Sequence, residues 1–244
     1  MSDPSTKRNV LVTGGTRGLG LATCRHLAEA GYHVIATGRK PTEELAELVA
    51  GGDVRFVPLD LCQIDQIRGF IREAVSQHGP LYGLINNAAL GHDGVLATMH
   101  DSQIEELLRV NVLASILVTK YASRSMLSRR TGRIVNVASI IASTGFSGLS
   151  VYAATKSSMI GLTKSLSREL GKAGITVNAV SPGYMATDMT AGIEDEKLAT
   201  ITRRSPLSRL ATTDEVAAAI GYLLSDAAAS ITGTNLTIDA GSTA

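Results

Sequence analysis

The strongest constraint on this chain is an alternation. Short apolar runs of four to six residues take turns with longer stretches that repeat every three to four residues. The runs are Asn9 to Thr13, His33 to Thr37, Val54 to Leu59, Tyr82 to Asn86, Arg133 to Ala138, Ile175 to Val180 and Asn235 to Ile238. Strands that are continuously apolar are buried on both faces, and parallel strands need a crossover helix between them. The pattern therefore predicts an α/β fold with seven strands in a parallel sheet and helices on both faces. Helices are expected near 18–30, 42–50, 63–78, 102–129, 151–173 and 213–225, the fourth opened by a Ser102…Glu105 capping box and long enough to contain a break.

Composition fits a layered core. Apolar residues make up 44% of the 244, but only 4% are aromatic, so Ala, Val, Leu and Ile must fill the interior. One domain over 1–244 is expected, with a long, polar, weakly periodic segment around 184–210 as a substrate lid. Lys and Arg number 23 against 22 Asp and Glu, which leaves no excess charge for nucleic acid or an anionic membrane. The polar start, Met1 to Asn9, lacks the apolar run of a secretory signal, so a cytoplasmic protein is expected. Cys24 and Cys62 read as buried free thiols. Neither they nor the five scattered histidines show metal-ligand spacing, and no metal site is expected.

Thr13-Gly14-Gly15-Thr16-Arg17-Gly18-Leu19-Gly20 follows the first strand and opens the first helix. Glycines at such a turn let backbone N–H groups approach a pyrophosphate at the positive end of a helix. The loop lacks the Lys-Ser/Thr of a nucleoside-triphosphate P-loop, which argues against phosphoryl transfer. The second strand ends in Thr37-Gly38-Arg39-Lys40 rather than in the carboxylate that receives the ribose 2′-hydroxyl of NAD. Arg17 and Arg39 are expected to grip a 2′-phosphate, which favours NADP(H).

Tyr152 and Lys156 stand four apart on a helix and so share a face. An ammonium beside a phenol favours the phenolate, so Lys156 is expected to lower the Tyr152 pKa and ready it for proton exchange with a carbonyl or alcohol oxygen. Ser139 ends the fifth strand at the carboxyl edge, where open parallel sheets bind ligands.

Thr13-Gly14-x-x-x-Gly18-x-Gly20, Asn86-Asn87-Ala88-Ala89, Asn111, Ser139, Tyr152-x-x-x-Lys156 and Pro182-Gly183 together resemble the short-chain dehydrogenase/reductase superfamily over nearly the whole chain. Within it the chain looks most like the 3-oxoacyl-[acyl-carrier-protein] reductases of fatty acid biosynthesis, through Asn178-Ala-Val-Ser-Pro-Gly183, Thr187-Asp188-Met189-Thr190 and Ile231-Thr-Gly-Thr234. The resemblance implies a single-domain Rossmann fold, a homotetramer, and NADPH-dependent reduction of a 3-oxoacyl thioester bound to acyl carrier protein or CoA. It implies that Tyr152 is the general acid, that Ser139 polarises the ketone oxygen, that Lys156 also binds the nicotinamide ribose, and that Asn111 holds a water linked to Lys156. For the cofactor it implies contacts from Gly14, Gly15, Thr16, Arg17, Gly18, Leu19, Gly20, Arg39, Asp60, Leu61, Asn87, Ala88, Ala89, Pro182, Gly183, Met185 and Thr187, besides Tyr152 and Lys156. Arg129 and Arg130, in a cluster with Arg133, are expected to face an acidic carrier protein, with Lys172 in the same patch.

Two departures stand out: Ala89 replaces a glycine of Asn-Asn-Ala-Gly, and Ala240 interrupts an Asp-Gly-Gly. Two alternatives remain open from sequence. One is a ketoreductase or alcohol dehydrogenase for a small or polyketide-like ketone; the other is a non-catalytic NADP(H)-binding sensor.

Overall fold

The computed structural model describes residues 7–185, 200 and 202–244. Seven strands form one parallel sheet in the order β3-β2-β1-β4-β5-β6-β7. They are β1 Asn9–Thr13, β2 His33–Gly38, β3 Val54–Pro58, β4 Leu81–Asn86, β5 Gly132–Val137, β6 Ile175–Pro182 and β7 Asn235–Ile238. The apolar runs of the sequence are these strands to within one or two residues. Alternate side chains of one strand enter different layers of the core. Val10 and Val12 pack with Leu19, Cys24, Val216 and Ile220 on one face, whereas Leu11 packs with Ile67, Val118 and Met126 on the other.

The helices are α1 Gly18–Glu29, α2 Glu43–Ala50, α3 Ile67–His78, α4 Asp101–Leu107, α5 Ser115–Arg129, α6 Ile141–Thr144, α7 Ser150–Leu170 and α8 Thr213–Leu224. The span expected at 102–129 is interrupted: Leu108–Ala114 forms a π-helical segment between α4 and α5. Its cap also differs. His100 is the N-cap residue and its N–H donates to Gln103 Oε1 at 3.4 Å, while Ser102 and Glu105 lie inside the helix. The four-residue α6 carries no periodic signal in the sequence. Cys24 is buried as expected, but Cys62 is only partly so.

Strand order reverses between β2-β1 and β1-β4, so the loops leaving β1 and β4 diverge and open a crevice at their carboxyl ends. Among the described residues, those the sequence marked as chemical, apart from the arginine patch, come from loops and helices at this edge.

Candidate active site

The glycine loop is braced from two sides. The Gly15 N–H donates to Thr37 O at 3.0 Å, and Thr42 Oγ1 donates to Thr16 O at 2.7 Å, which ties the loop to the end of β2. Thr13 Oγ1 accepts from the N–H groups of Asn87 and Ala88, both at 3.1 Å, and Asn87 Nδ2 donates to Thr13 O at 2.9 Å and Gly14 O at 3.1 Å. The packing is tight enough to explain the glycines. Gly14 has φ +65°, and a Cβ at Gly20 would stand 2.0 Å from Gly14 O and 2.6 Å from Asn87 Nδ2. Ala88 and Ala89 follow in the same turn.

A dinucleotide fits what this loop offers. Arg17 is the N-cap of α1 in extended backbone, no side chain caps the helix, and its first turn holds no acidic residue. The first N–H groups of the helix are thus left to an outside acceptor, a standard anion site. A Cβ at Gly38 would sit 2.7 Å from Thr16 Cγ2, so loop and β2 end touch here. Arg17 and Arg39, each adjacent to one of these contacting residues, are both exposed. Asp60, at the end of β3, accepts the Cys62 N–H at 3.0 Å. Leu61 points into the core beside Ile67, so only its backbone is left for the expected adenine contact.

Ser139 and Lys156 meet at Tyr152. Ser139 follows β5 and its Oγ accepts the Ile141 N–H at 3.3 Å, fixing the start of α6. The neighbouring Ile140 N–H donates to Pro182 O at 3.1 Å, which joins the end of β6 to this corner. Gly183 is held against Asp239, where a Cβ would lie 2.7 Å from Asp239 Cβ, and its N–H donates to Ile238 O at 2.9 Å. Met185 packs at the edge of the core; Thr187 lies outside the described residues, as do positions 186–199 and 201 of the expected lid.

Lys156 is 4% exposed and its ammonium donates to Val137 O at 2.9 Å, with Nζ 5.6 Å from the Tyr152 ring centroid. Burial pulls its pKa down to about 8. The expected depression of the Tyr152 pKa is not what the structure gives. Burial pushes the phenol up to about 12, and the Ser139 side chain beside it pulls the other way without prevailing. The reason is enclosure: a phenolate on this partly buried residue loses more solvation than one neighbouring hydroxyl restores.

Asn111 sits in the π-helical segment, a kind of irregularity common at functional sites. Its amide is engaged at both ends. Oδ1 accepts the Leu90 N–H at 2.8 Å, and Nδ2 donates to Leu90 O at 2.9 Å and Thr155 Oγ1 at 3.2 Å. A water at Asn111 is therefore left with the second lone pair of Oδ1 or with the main-chain carbonyl. Thr155 was not singled out by the sequence although it stands inside Tyr-Ala-Ala-Thr-Lys; its hydroxyl also donates to Tyr152 O at 2.8 Å, so it links Asn111 to the helix carrying the phenol.

The arginine patch is not at this site. α5 runs back along the sheet, so Arg129 and Arg130 lie beside the start of β5, the edge opposite Ser139. Arg130 adopts φ 49° as the C-cap and donates through Nη2 to Lys172 O at 2.8 Å. Arg133 leaves the expected cluster altogether: it is 7% exposed, over the Tyr82 ring and 3.8 Å from Asp226. Among the described residues no group of His, Cys, Asp and Glu is placed to hold a metal ion, and no helix is long and apolar enough to cross a membrane.

Comparison with known proteins agrees with this geometry. A family model described as enoyl-(acyl carrier protein) reductase matches residues 14–243. A 3-oxoacyl-[acyl-carrier-protein] reductase of Staphylococcus aureus is 35% identical over 240 residues, covering 96% of this chain and 97% of that protein. An acetoacetyl-CoA reductase of an Acinetobacter species is 37% identical over 243 residues, with 97% and 98% covered. Among solved structures, a double mutant of a Serratia marcescens short-chain dehydrogenase/reductase superposes with TM-score 0.89 at 30% identity, covering 99% of this chain and 100% of that one. A putative gluconate dehydrogenase from Agrobacterium tumefaciens gives 0.92 at 26%, covering 96% and 95%. With the sheet order, the glycine loop and the Ser139, Tyr152 and Lys156 corner in place, the chain belongs to the short-chain dehydrogenase/reductase superfamily of nicotinamide-dependent oxidoreductases.

Proposed function

We propose that this enzyme reduces the ketone of a 3-oxoacyl thioester to the 3-hydroxyacyl form with NADPH. The observation that carries the proposal is the meeting of Ser139, Tyr152 and buried Lys156 at the carboxyl ends of β5 and β6, beside a helix start suited to a pyrophosphate. The bound cofactor supplies a hydride, an electron pair and a proton together, to the carbonyl carbon. Tyr152 gives its phenolic proton to the carbonyl oxygen as the C=O π bond becomes a C–O single bond. At neutral pH burial keeps the phenol in its acid form, the form that reduction consumes. Ser139 donates a hydrogen bond to the same oxygen. Lys156, held by Val137 O, stands over the ring to stabilise the phenolate left behind, which regains its proton from solvent along Lys156 and Asn111.

Cofactor selection rests on Arg17 and Arg39, with no carboxylate at the end of β2 to oppose a 2′-phosphate. In this proposal Pro182, Gly183 and Met185 lie toward the nicotinamide, the side on which the sequence also expects Thr187. The thioester substrate is supported by the relatives named for acyl-carrier-protein and CoA substrates. A carrier protein docking on exposed Arg129 would sit a sheet length from Ser139 of the same chain. A cytoplasmic homotetramer completes the proposal, supported by outward-facing Leu113, Ile116 and Leu127 along the π segment and α5.

The test is a substrate panel with NADPH: acetoacetyl-carrier protein, acetoacetyl-CoA and a simple ketone. Reduction of a thioester with a higher kcat/KM than the simple ketone supports the assignment. A preference for the simple ketone favours a small-ketone reductase, and cofactor binding with no turnover favours a sensor.

A further inference from the structure

Resting on the ketone-reductase proposal, the geometry points to a charge filter at the mouth of the site: we propose that Asp93, beside the Phe146–Tyr184 pair, is a specificity-determining residue that rejects free β-keto acids and admits neutral β-keto esters and thioesters. The rim is built from two loops that are fastened together. The Gly94 N–H donates to Gly148 O at 2.9 Å, so the loop after β4 is tied to the turn that leads into α7 four residues before Tyr152. Phe146, in that turn, meets Tyr184 edge to face with ring centroids 6.3 Å apart. Tyr184 immediately follows the Pro182-Gly183 wall, and its phenol lies within electrostatic range of Tyr152 on one side and of the Asp93 carboxylate on the other.

Asp93 is exposed, so it meets an arriving substrate before Tyr152 does. Its sequence neighbour does not neutralise it, since His92 Nε2 is already paired with Glu106 Oε2 at 2.8 Å. Around this loop the carboxylates of Asp93 and Glu106 outnumber the one imidazole of His92. A β-keto acid puts its own carboxylate two carbons from the ketone. With the ketone at Ser139 and Tyr152, an acid group turned toward this rim meets a charge of its own sign, and like charges repel. An ester or thioester presents the same shape without the charge, and a pantetheine-like amide N–H is a hydrogen-bond donor that a carboxylate can accept.

The experiment compares acetoacetate with methyl acetoacetate, a pair of nearly equal size, in wild type and Asp93→Asn. Wild type should favour the ester. In Asp93→Asn the ratio of the two kcat/KM values should shrink about fivefold, through a lower KM for acetoacetate, while the ester keeps its kcat and KM. Raising salt should narrow the wild-type ratio and leave that of the variant nearly flat. An unchanged ratio, or an equal loss on both substrates, overturns the filter. If wild type turns over neither compound while it reduces no other ketone, the reductase proposal itself fails and the filter goes with it.

Discussion

Lys156 lies under the Tyr152 ring, its Nζ 5.6 Å from the centroid, and is held there by a 2.9 Å hydrogen bond to Val137 O rather than by any carboxylate. The ammonium is therefore buried for the sake of its neighbour. Its pKa, drawn down to about 8 from an ordinary 10.5, records the cost. Below pH 8 both the folded and the unfolded chain carry this charge, and the folded state bears the full penalty. Between about 8 and 10.5 the folded state sheds the proton first, so the penalty fades as pH rises.

It follows that Lys156→Met, which keeps the volume and removes the charge, should raise Tm at pH 7 by a few degrees while lowering kcat at least a hundredfold. The gain in Tm should shrink as pH is taken from 8 toward 10. Thermal unfolding across that range checks it, and a lower Tm at pH 7 would contradict it. In the wild type, oxidation of the 3-hydroxy product should accelerate with rising pH, because it needs the Tyr152 phenolate that burial opposes, whereas ketone reduction should not.

Arg39→Ala should raise KM for NADPH about tenfold and leave that for NADH within about twofold, since a charge-assisted phosphate contact is lost only where a 2′-phosphate exists. Steady-state kinetics with the two cofactors measure this. Equal effects on both would remove Arg39 from the phosphate site.

The β7 end offers a stability test. Ala240 has φ 56°, a left-handed conformation that a Cβ disfavours, and its carbonyl accepts from Ser205 Oγ and the Leu207 N–H. The preceding Asp239 is burdened by burial, yet hydrogen bonds from Thr243, Gly241 and Ser242 outweigh this and hold its pKa below the usual carboxylate range. That network keeps the turn in place around the strained residue. Ala240→Gly should stabilise the protein by about 1 kcal/mol, a Tm increase of roughly 2–4 °C, with activity retained. Calorimetry showing no gain would mean the turn relaxes without cost.

What was readable in the sequence was whatever leaves a local trace. A strand buried on both faces is mostly apolar, so Tyr82 to Asn86 and Ile175 to Val180 could be found without knowing their neighbours, although Asn86, Thr176 and Asn178 are buried with them. Glycine spacing fixed the loop at Gly14 to Gly20 for the same reason. The π segment at Leu108–Ala114 was not legible beyond a suspicion of a break, because one extra residue in a turn changes register and not composition. Nor was the fate of Arg130, whose left-handed backbone and bond to Lys172 O arise from where α5 happens to meet the turn after α7. The direction of the Tyr152 shift depends on enclosure by segments far apart in sequence, and spacing to Lys156 alone pointed the wrong way. Ala240 was visible as a departure; its φ was not.

The central claim, that Tyr152 delivers the proton to a ketone in an otherwise intact cofactor site, is tested most directly by one paired measurement on Tyr152→Phe. Acetoacetyl-thioester reduction is followed by the loss of reduced-nicotinamide absorbance, and NADPH affinity by fluorescence titration of the same preparation. The expected result is a fall in kcat of at least about a hundredfold with the NADPH Kd within a few-fold of wild type. Turnover retained to within tenfold, with cofactor still bound, would contradict the account.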